Sequence, residues 1–263
     1  MGISVVIIVK NGGSILHRCL ESLRDFDEVV LYNNGSTDDT AAIGASYPNV
    51  RLIEGEFIGF GPTKNTAAEY AAHDWILSLD ADEVLDEAIV QEIKQLALDS
   101  KTVYSLLRKN FYKTTEISHC WGADEIVRLY NRKTTRYSDK HVHEHILTDG
   151  VSVQKLIHSF SHYPYQSISE FVLKADRYST LFAEDNVGKK RSSPTKAFFN
   201  GLYSFIRTYI LKRGFLDGYA GLIIAFSHMV TNFYKYIKLY EMNSEQKKKT
   251  LIEERFKSDL DKI

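Results

Sequence analysis

Two carboxylates one residue apart, Asp80 and Asp82, follow the apolar run Trp75-Ile76-Leu77-Ser78-Leu79. Where a strand ends and the chain turns, side chains at that spacing can converge on one divalent cation. A hard cation such as Mg²⁺ takes one or two protein carboxylates and fills its remaining positions with water and substrate phosphate oxygens, so a diphosphate is its natural partner. The pair reads equally as the cap of the next helix, a frequent use of Asp after a strand. The loop Asn34-Gly35-Ser36-Thr37-Asp38 also closes an apolar run. In a parallel sheet, two such loops open on the same edge and face one crevice.

The elements that must position these loops are legible as alternating units. The β-branched run Ile3 to Val9 has the continuous apolar character of a strand covered on both faces, and it breaks at Lys10-Asn11-Gly12-Gly13. A helix is expected over about 14–24, a strand over 28–32, and a helix from near Asp39 with Ser36 or Thr37 as its cap. Further strands are expected over 50–54 and 75–79, and helices over 64–72 and 86–98. Such alternation implies an α/β fold with a mostly parallel sheet. Residues 103–153 alternate polar and apolar positions in short stretches, which predicts added antiparallel strands. From Ser167 the pattern turns helical, with Phe171, Lys174, Ala175, Tyr178 and Phe182 at three- and four-residue spacings.

Composition limits the classes. A chain of 263 residues with 44% hydrophobic content buries a substantial core and is neither disordered nor fibrous. The formal net charge of -1 conceals an asymmetry, because residues 186–263 carry fifteen basic and seven acidic side chains. That last third suits an anionic surface. Cys19 and Cys120 stand alone, without metal-ligand spacing, which argues against a disulfide scaffold or structural zinc and fits a reducing, cytoplasmic compartment. The apolar start is too short for the hydrophobic region of a signal peptide and reads as a buried strand. The basic clusters Lys189-Lys190-Arg191 and Lys247-Lys248-Lys249 come without a nucleic-acid motif, and no nucleic-acid partner is expected.

Ile3-Ser4-Val5-Val6-Ile7-Ile8, Asn33-Asn34-Gly35-Ser36-Thr37-Asp38-Asp39-Thr40 and Trp75 through Glu83 resemble the inverting family 2 glycosyltransferases of the GT-A fold. Gly59-Phe60-Gly61, Lys64-Asn65, Val127-Arg128-Leu129-Tyr130, Val142-His143-Glu144, His162-Tyr163 and Lys212-Arg213-Gly214-Phe215-Leu216-Asp217-Gly218 are similar to a subgroup that adds glucose to the inner core of bacterial lipopolysaccharide. The resemblance implies a Rossmann-like GT-A catalytic domain over 1–165, a mixed sheet, and a helical carboxyl-terminal region over 166–263. It implies donor contacts from Ile8, Asn11, Asn34, Ser36, Asp38, Lys64 and Asp80, and a divalent metal, Mg²⁺ or Mn²⁺, held by Asp80, Asp82 and His162. Lys64 reads alternatively as a solvated helix residue, and His162 as a packed histidine among His141, His143, His145 and His158.

An inverting transfer needs a base for the acceptor hydroxyl. The resemblance puts Glu144 on the acceptor side, with Asp124 as second choice; Glu144 reads alternatively as the partner of Lys140 or His143. The family commonly has Asp where this chain has Asn33-Asn34, and Asn both donates and accepts where Asp only accepts. The expected reaction moves a hexose, glucose from UDP-glucose, to an inner-core heptose; a polyprenyl phosphate or peptide acceptor and a non-catalytic sugar-nucleotide-binding protein are the alternatives.

Between Phe198 and Tyr240, Phe198, Phe199, Tyr203, Phe205 and Tyr209 accompany Lys196, Arg207, Lys212 and Arg213. Such a helix either lies in a membrane interface, peripheral on the inner face of the cytoplasmic membrane, or packs its aromatic face against the catalytic domain or a second subunit. The uncharged stretch 218–234, about 17 residues, sits at the lower limit for spanning a bilayer and is read as non-spanning.

Overall fold

The computed structural model describes residues 2–140 and 144–260, the side chains of 253–260 excepted. Two compact units divide the chain: residues 1–110 with 123–164, and residues 111–122 with 165–263. The insert 111–122 therefore groups with the helices that follow residue 165.

In the first unit, β1 (Ile3–Val9), β2 (Glu28–Asn33), β3 (Val50–Glu54) and β4 (Trp75–Asp80) are parallel neighbours, and α1 (Gly13–Glu21), α2 (Thr40–Ala45) and α3 (Phe60–Glu69) connect them. After β5 (Glu83–Leu85) and α4 (Glu87–Gln95), the antiparallel strands β6 (Thr102–Tyr112), β8 (Asp124–Asn131) and β9 (Ser152–Tyr165) complete the sheet, in the order β3-β2-β1-β4-β8-β6-β9-β5. The short β7 (Thr115–Glu116) pairs with β6. Both faces of the parallel half are covered. Val5, Ile7, Leu77 and Leu79 pack with Leu16, Leu20 and Ile89 on one side; Val6, Val30 and Ile76 pack with Ala67, Ala68 and Tyr130 on the other. This is why β1 reads as an unbroken apolar run, and each fully buried aliphatic side chain contributes roughly 1.5–3 kcal/mol.

Register fixes the functional edge. Ile8 pairs with both Tyr32 and Asp80, Val9 with Asn33, and Asn33 with Glu54, so the four parallel strands end in one row. At the other end of the sheet Glu83 stands opposite His162, and Tyr163 N–H donates to Asp82 O at 2.9 Å. The expected cap of α2 is corrected: neither Ser36 nor Thr37 caps it. Asp38 accepts from Thr40 N–H at 3.1 Å and from Gly13 N–H at 3.0 Å, tying the second loop to the start of α1.

In the second unit, α5 (Ile168–Asn186) starts at Ser167, whose hydroxyl accepts from Glu170 N–H, and α6 (Pro194–Ile206) starts at Ser193 with Pro at its first position. A π turn (Arg207–Leu211) and a 3-10 turn (Gly214–Asp217) lead into α7 (Gly218–Leu260). Among the described residues no helix is long and apolar enough to cross a membrane. Asp217 organises the insert: its carboxylate accepts from the backbone N–H groups of Ser118, His119 and Cys120 and from His119 Nδ1 at 2.8 Å. Burial opposes ionisation there, but the Cys120 amide and the His119 imidazole outweigh it and hold the carboxyl below its ordinary range.

Asp217→Ala strands these donors and is expected to cost about 2–3 kcal/mol in denaturant unfolding. The sign of its pH dependence follows from the lowered folded value. The stabilisation from Asp217 is complete above the unfolded-chain pKa of about 3.9 and fades as pH falls through the lower folded one. Acid titration of unfolding midpoints for wild type and Asp217→Asn should therefore converge below that window.

Candidate functional site

Lys64, in the second turn of α3, is only 3% exposed, and its ammonium lies 2.9 Å from Asp80 Oδ1 and 3.0 Å from Glu144 Oε1. A lone lysine in that position would lose its proton to burial; Asp80, Tyr137 and Glu144 together reverse the effect and raise its pKa above the ordinary value. The other Asp80 oxygen accepts from Arg128 at 2.8 Å, and the same guanidinium contacts Glu83, which is fully buried. Burial works against the Asp80 carboxylate, yet Lys64 and Arg128 hold it well below the usual carboxylate range. For Glu83 burial wins, and its pKa stands above normal despite Arg128.

The neighbours of these charges explain their placement. Asn65, next to Lys64, donates to Tyr137 O at 3.0 Å and accepts from Tyr137 N–H at 2.9 Å, clamping the segment that leads to Glu144. Gly61 permits this approach, because a Cβ there would stand 2.0 Å from Ser138 O. Asp80, Arg108, Arg128, Tyr137, Glu144 and His145 share the wall of one cavity of about 570 Å³.

Asp82 and His162 meet beside this cluster, with Nε2 3.6 Å from Oδ2. His162 Nδ1 is hydrogen bonded to Asn110 Oδ1 at 2.7 Å, which orients the ring with Nε2 toward Asp82. A carboxylate beside an imidazole nitrogen, with the imidazole oriented by a further partner, is a ligand pair of the type that divalent cations take. Among the described residues there is no group of three His, Cys, Asp or Glu side chains suited to a metal, so Asp82 and His162 stand as a pair and Asp80 does not join them.

The second loop is laced to the first. Asn11 N–H donates to Ser36 Oγ at 2.9 Å, and Thr37 N–H donates to Asn11 Oδ1 at 2.8 Å. Asn33 uses both ends of its amide: the NH₂ donates to both Glu54 oxygens, and Oδ1 accepts from Ser36 N–H and Oγ. An Asp here would face Glu54 as a like charge, which accounts for the Asn. Asn34, also buried, donates weakly to Gly55 O at 3.4 Å.

Residues 4–158 match the family model for glycosyl transferase family 2. The chain belongs to that family. It is 29% identical over 255 residues, 92% of this chain and 93% of the relative, to the lipopolysaccharide core biosynthesis glycosyltransferase LpsC of Rhizobium meliloti. It is 26% identical over 256 residues to an uncharacterized glycosyltransferase of Rickettsia typhi, covering 92% of this chain and 87% of that one. Among solved structures it is similar to S. aureus TarS 1-349 in complex with UDP-GlcNAc, at 13% identity and a TM-score of 0.45, covering 94% of this chain and 92% of that chain. The family match and the observed mixed sheet agree with the α/β GT-A fold that the sequence motifs imply.

Within this family 2 glycosyltransferase, Lys64, Asp80 and Glu144 come together, and Asp82 joins His162 a few residues away. Ile8, Asn11, Asn34, Ser36 and Asp38 lie at or beyond the ends of β1 and β2. Glu144 pairs with Lys64 rather than with Lys140; His141 and His143 lie outside the described residues. Asp124 accepts from Arg108 Nε and Nη2, at 3.0 and 2.8 Å. His158 pairs with Glu92 and takes no part in the cluster. Arg108, Arg128, Glu83 and Asn110 carry no role in the sequence reading. The signal was present for Arg128, a charge between apolar neighbours in Val127-Arg128-Leu129, since arginines are almost never fully buried unless paired.

Asp80→Asn removes the anion shared by two buried cations and is expected to destabilise the fold by about 3–5 kcal/mol. Asp82→Asn, partly exposed and outside that network, should change stability by less than about 0.5 kcal/mol. Thermal or denaturant unfolding of the two variants distinguishes the structural carboxylate from its neighbour.

Proposed function

We propose that this glycosyltransferase moves a hexose, glucose from UDP-glucose, to an inner-core heptose of lipopolysaccharide with inversion at the sugar carbon. The observation that carries the reading is the buried Lys64 ammonium shared between Asp80 and Glu144, at the carboxyl ends of parallel strands and on an open cavity. The acceptor class follows from the similarity to the Rhizobium meliloti lipopolysaccharide core enzyme along nearly the whole chain.

In this reading Asn34 reads the uracil, while the Asn11 and Ser36 loops enclose the nucleoside. Lys64 exchanges Asp80 for a diphosphate oxygen, as a point charge reaching phosphate, and Asp80, still held by Arg128, is left with an oxygen free for the ribose. Asp82 and His162 would hold a divalent cation, Mg²⁺ or Mn²⁺, which would offset charge growing on the leaving diphosphate. Glu144, oriented by the same lysine, removes the proton from the acceptor hydroxyl as that oxygen attacks the sugar carbon opposite the leaving phosphate. The bond from the sugar carbon to the β-phosphate oxygen breaks, and the product is β-linked because the donor is α-linked. Asp124, clamped by Arg108, is less free to act as the base and serves to position that arginine beside Glu83.

Glu144→Gln should lower turnover by about 10²–10⁴-fold with the nucleotide still bound, whereas Asp124→Asn should have a much smaller effect. The assay is transfer from a panel of UDP- and GDP-sugars to heptose-terminated core lipopolysaccharide, followed by product mass, with and without divalent metal. Glucose addition that requires metal and is lost in Asp82→Asn bears the proposal out. Transfer only to a polyprenyl phosphate or peptide refutes the acceptor, and nucleotide binding without transfer to any acceptor refutes catalysis.

A further inference from the structure

The helices of the second unit are packed inside out. Along α6 and its π turn the buried positions are Ala197, Gly201 and Thr208, spaced to form one face toward α7. The contact is tight: a Cβ on Gly201 would stand 3.0 Å from Met229 O and 3.2 Å from Phe233 Cβ. The large apolar side chains point the other way. Phe198, Phe199, Leu202, Tyr203, Ile206 and Ile210 are all exposed, Phe199 and Tyr203 by 60% each. At the start of α7, Tyr219, Leu222 and Phe226 are also exposed, while Ala220, Ala225 and the larger Ile224 are buried. A helix stabilised by water-driven burial would put its aromatic residues inside. Small residues inward and large apolar residues outward is how helices pack when their outer face meets lipid.

Charge selects the kind of lipid. From Asn186 to Tyr240 the chain has nine Lys and Arg and a single acid, Asp217, and that acid is buried against the insert. Lys196 and Arg207, eleven residues apart and both exposed, lie on the same flank of the α6 stripe, and Lys212 and Arg213 follow at its end. An exposed apolar stripe with basic flanks and no acid matches the headgroup region of an anionic bilayer, and repels no part of it.

We propose that the outer face of α6 and its π turn is a docking surface for anionic phospholipid, with the aromatic stripe set into the headgroup layer and the Lys196 and Arg207 flank paired with phosphates. This surface is independent of the donor cluster, so its test does not depend on the transfer reaction.

The test is co-sedimentation of the full chain with vesicles of equal parts phosphatidylglycerol and phosphatidylcholine, against pure phosphatidylcholine, at low and high salt. Binding should favour the anionic vesicles and weaken with salt. Lys196→Ala with Arg207→Ala should weaken it roughly thirtyfold, on the scale of lipid attraction per basic residue. Phe199→Ser with Ile206→Ser, outward changes that leave the α6–α7 contact intact by circular dichroism, should abolish it. The proposal is overturned if anionic vesicles fail to bind the chain, or if both double variants bind like wild type. It is equally overturned if sedimentation equilibrium shows a dimer that these variants dissociate, since the face would then belong to a second copy.

Discussion

The ammonium of Lys64 cannot stay buried and charged without two carboxylates, and much of the donor side of the molecule is arranged to deliver them. Asp80 arrives by the register of β4 against β1, and Glu144 stands next to His145, whose carbonyl accepts from Ser138 N–H. Arg128 and Glu83 extend the same alternation of charge inward, so that each ion has a counterion within reach. Such a network is costly to desolvate and more costly still to break at one member. Its value lies in what replaces the counterions: an anionic ligand can take the place of a carboxylate without leaving a cation bare.

The parallel half was legible because its strands are covered on both faces and therefore apolar throughout, and because each ends in a loop of small polar residues. β1, β3 and β4 fall close to where the pattern puts them, and the row of strand ends follows. The antiparallel half was less legible. In β9 the exposed residues Val153 and Ile157 and the basic Lys155 break the alternation, and its partners lie far away in sequence. The cap of α2 was misread because Asp38 bonds to Thr40 and across to Gly13, a contact between loops that no local rule contains.

At the candidate site, residue types singled out Asp80 and Asp82 and the family resemblance added Lys64, but only packing shows how they divide. Asp80 faces cations and Asp82 faces an imidazole, although only Ala81 stands between them. Arg108 and Asn110 were invisible because their role is to hold other side chains. Asn33, an apparent departure from the family pattern, is explained by Glu54 on the neighbouring strand, a partner that sequence alone does not bring near.

His162 stands opposite Glu83 through the pairing of β9 with β5, and the Tyr163 amide bonds to the Asp82 carbonyl. The distance between the two candidate ligands is thus set by a backbone ladder. Side chains alternate faces along a strand, so a slip of one residue would turn His162 away altogether. Descendants of this chain are consequently free to vary the surface of β9 by substitution, while an insertion or deletion between Phe160 and Tyr163 closes that evolutionary route in a single step.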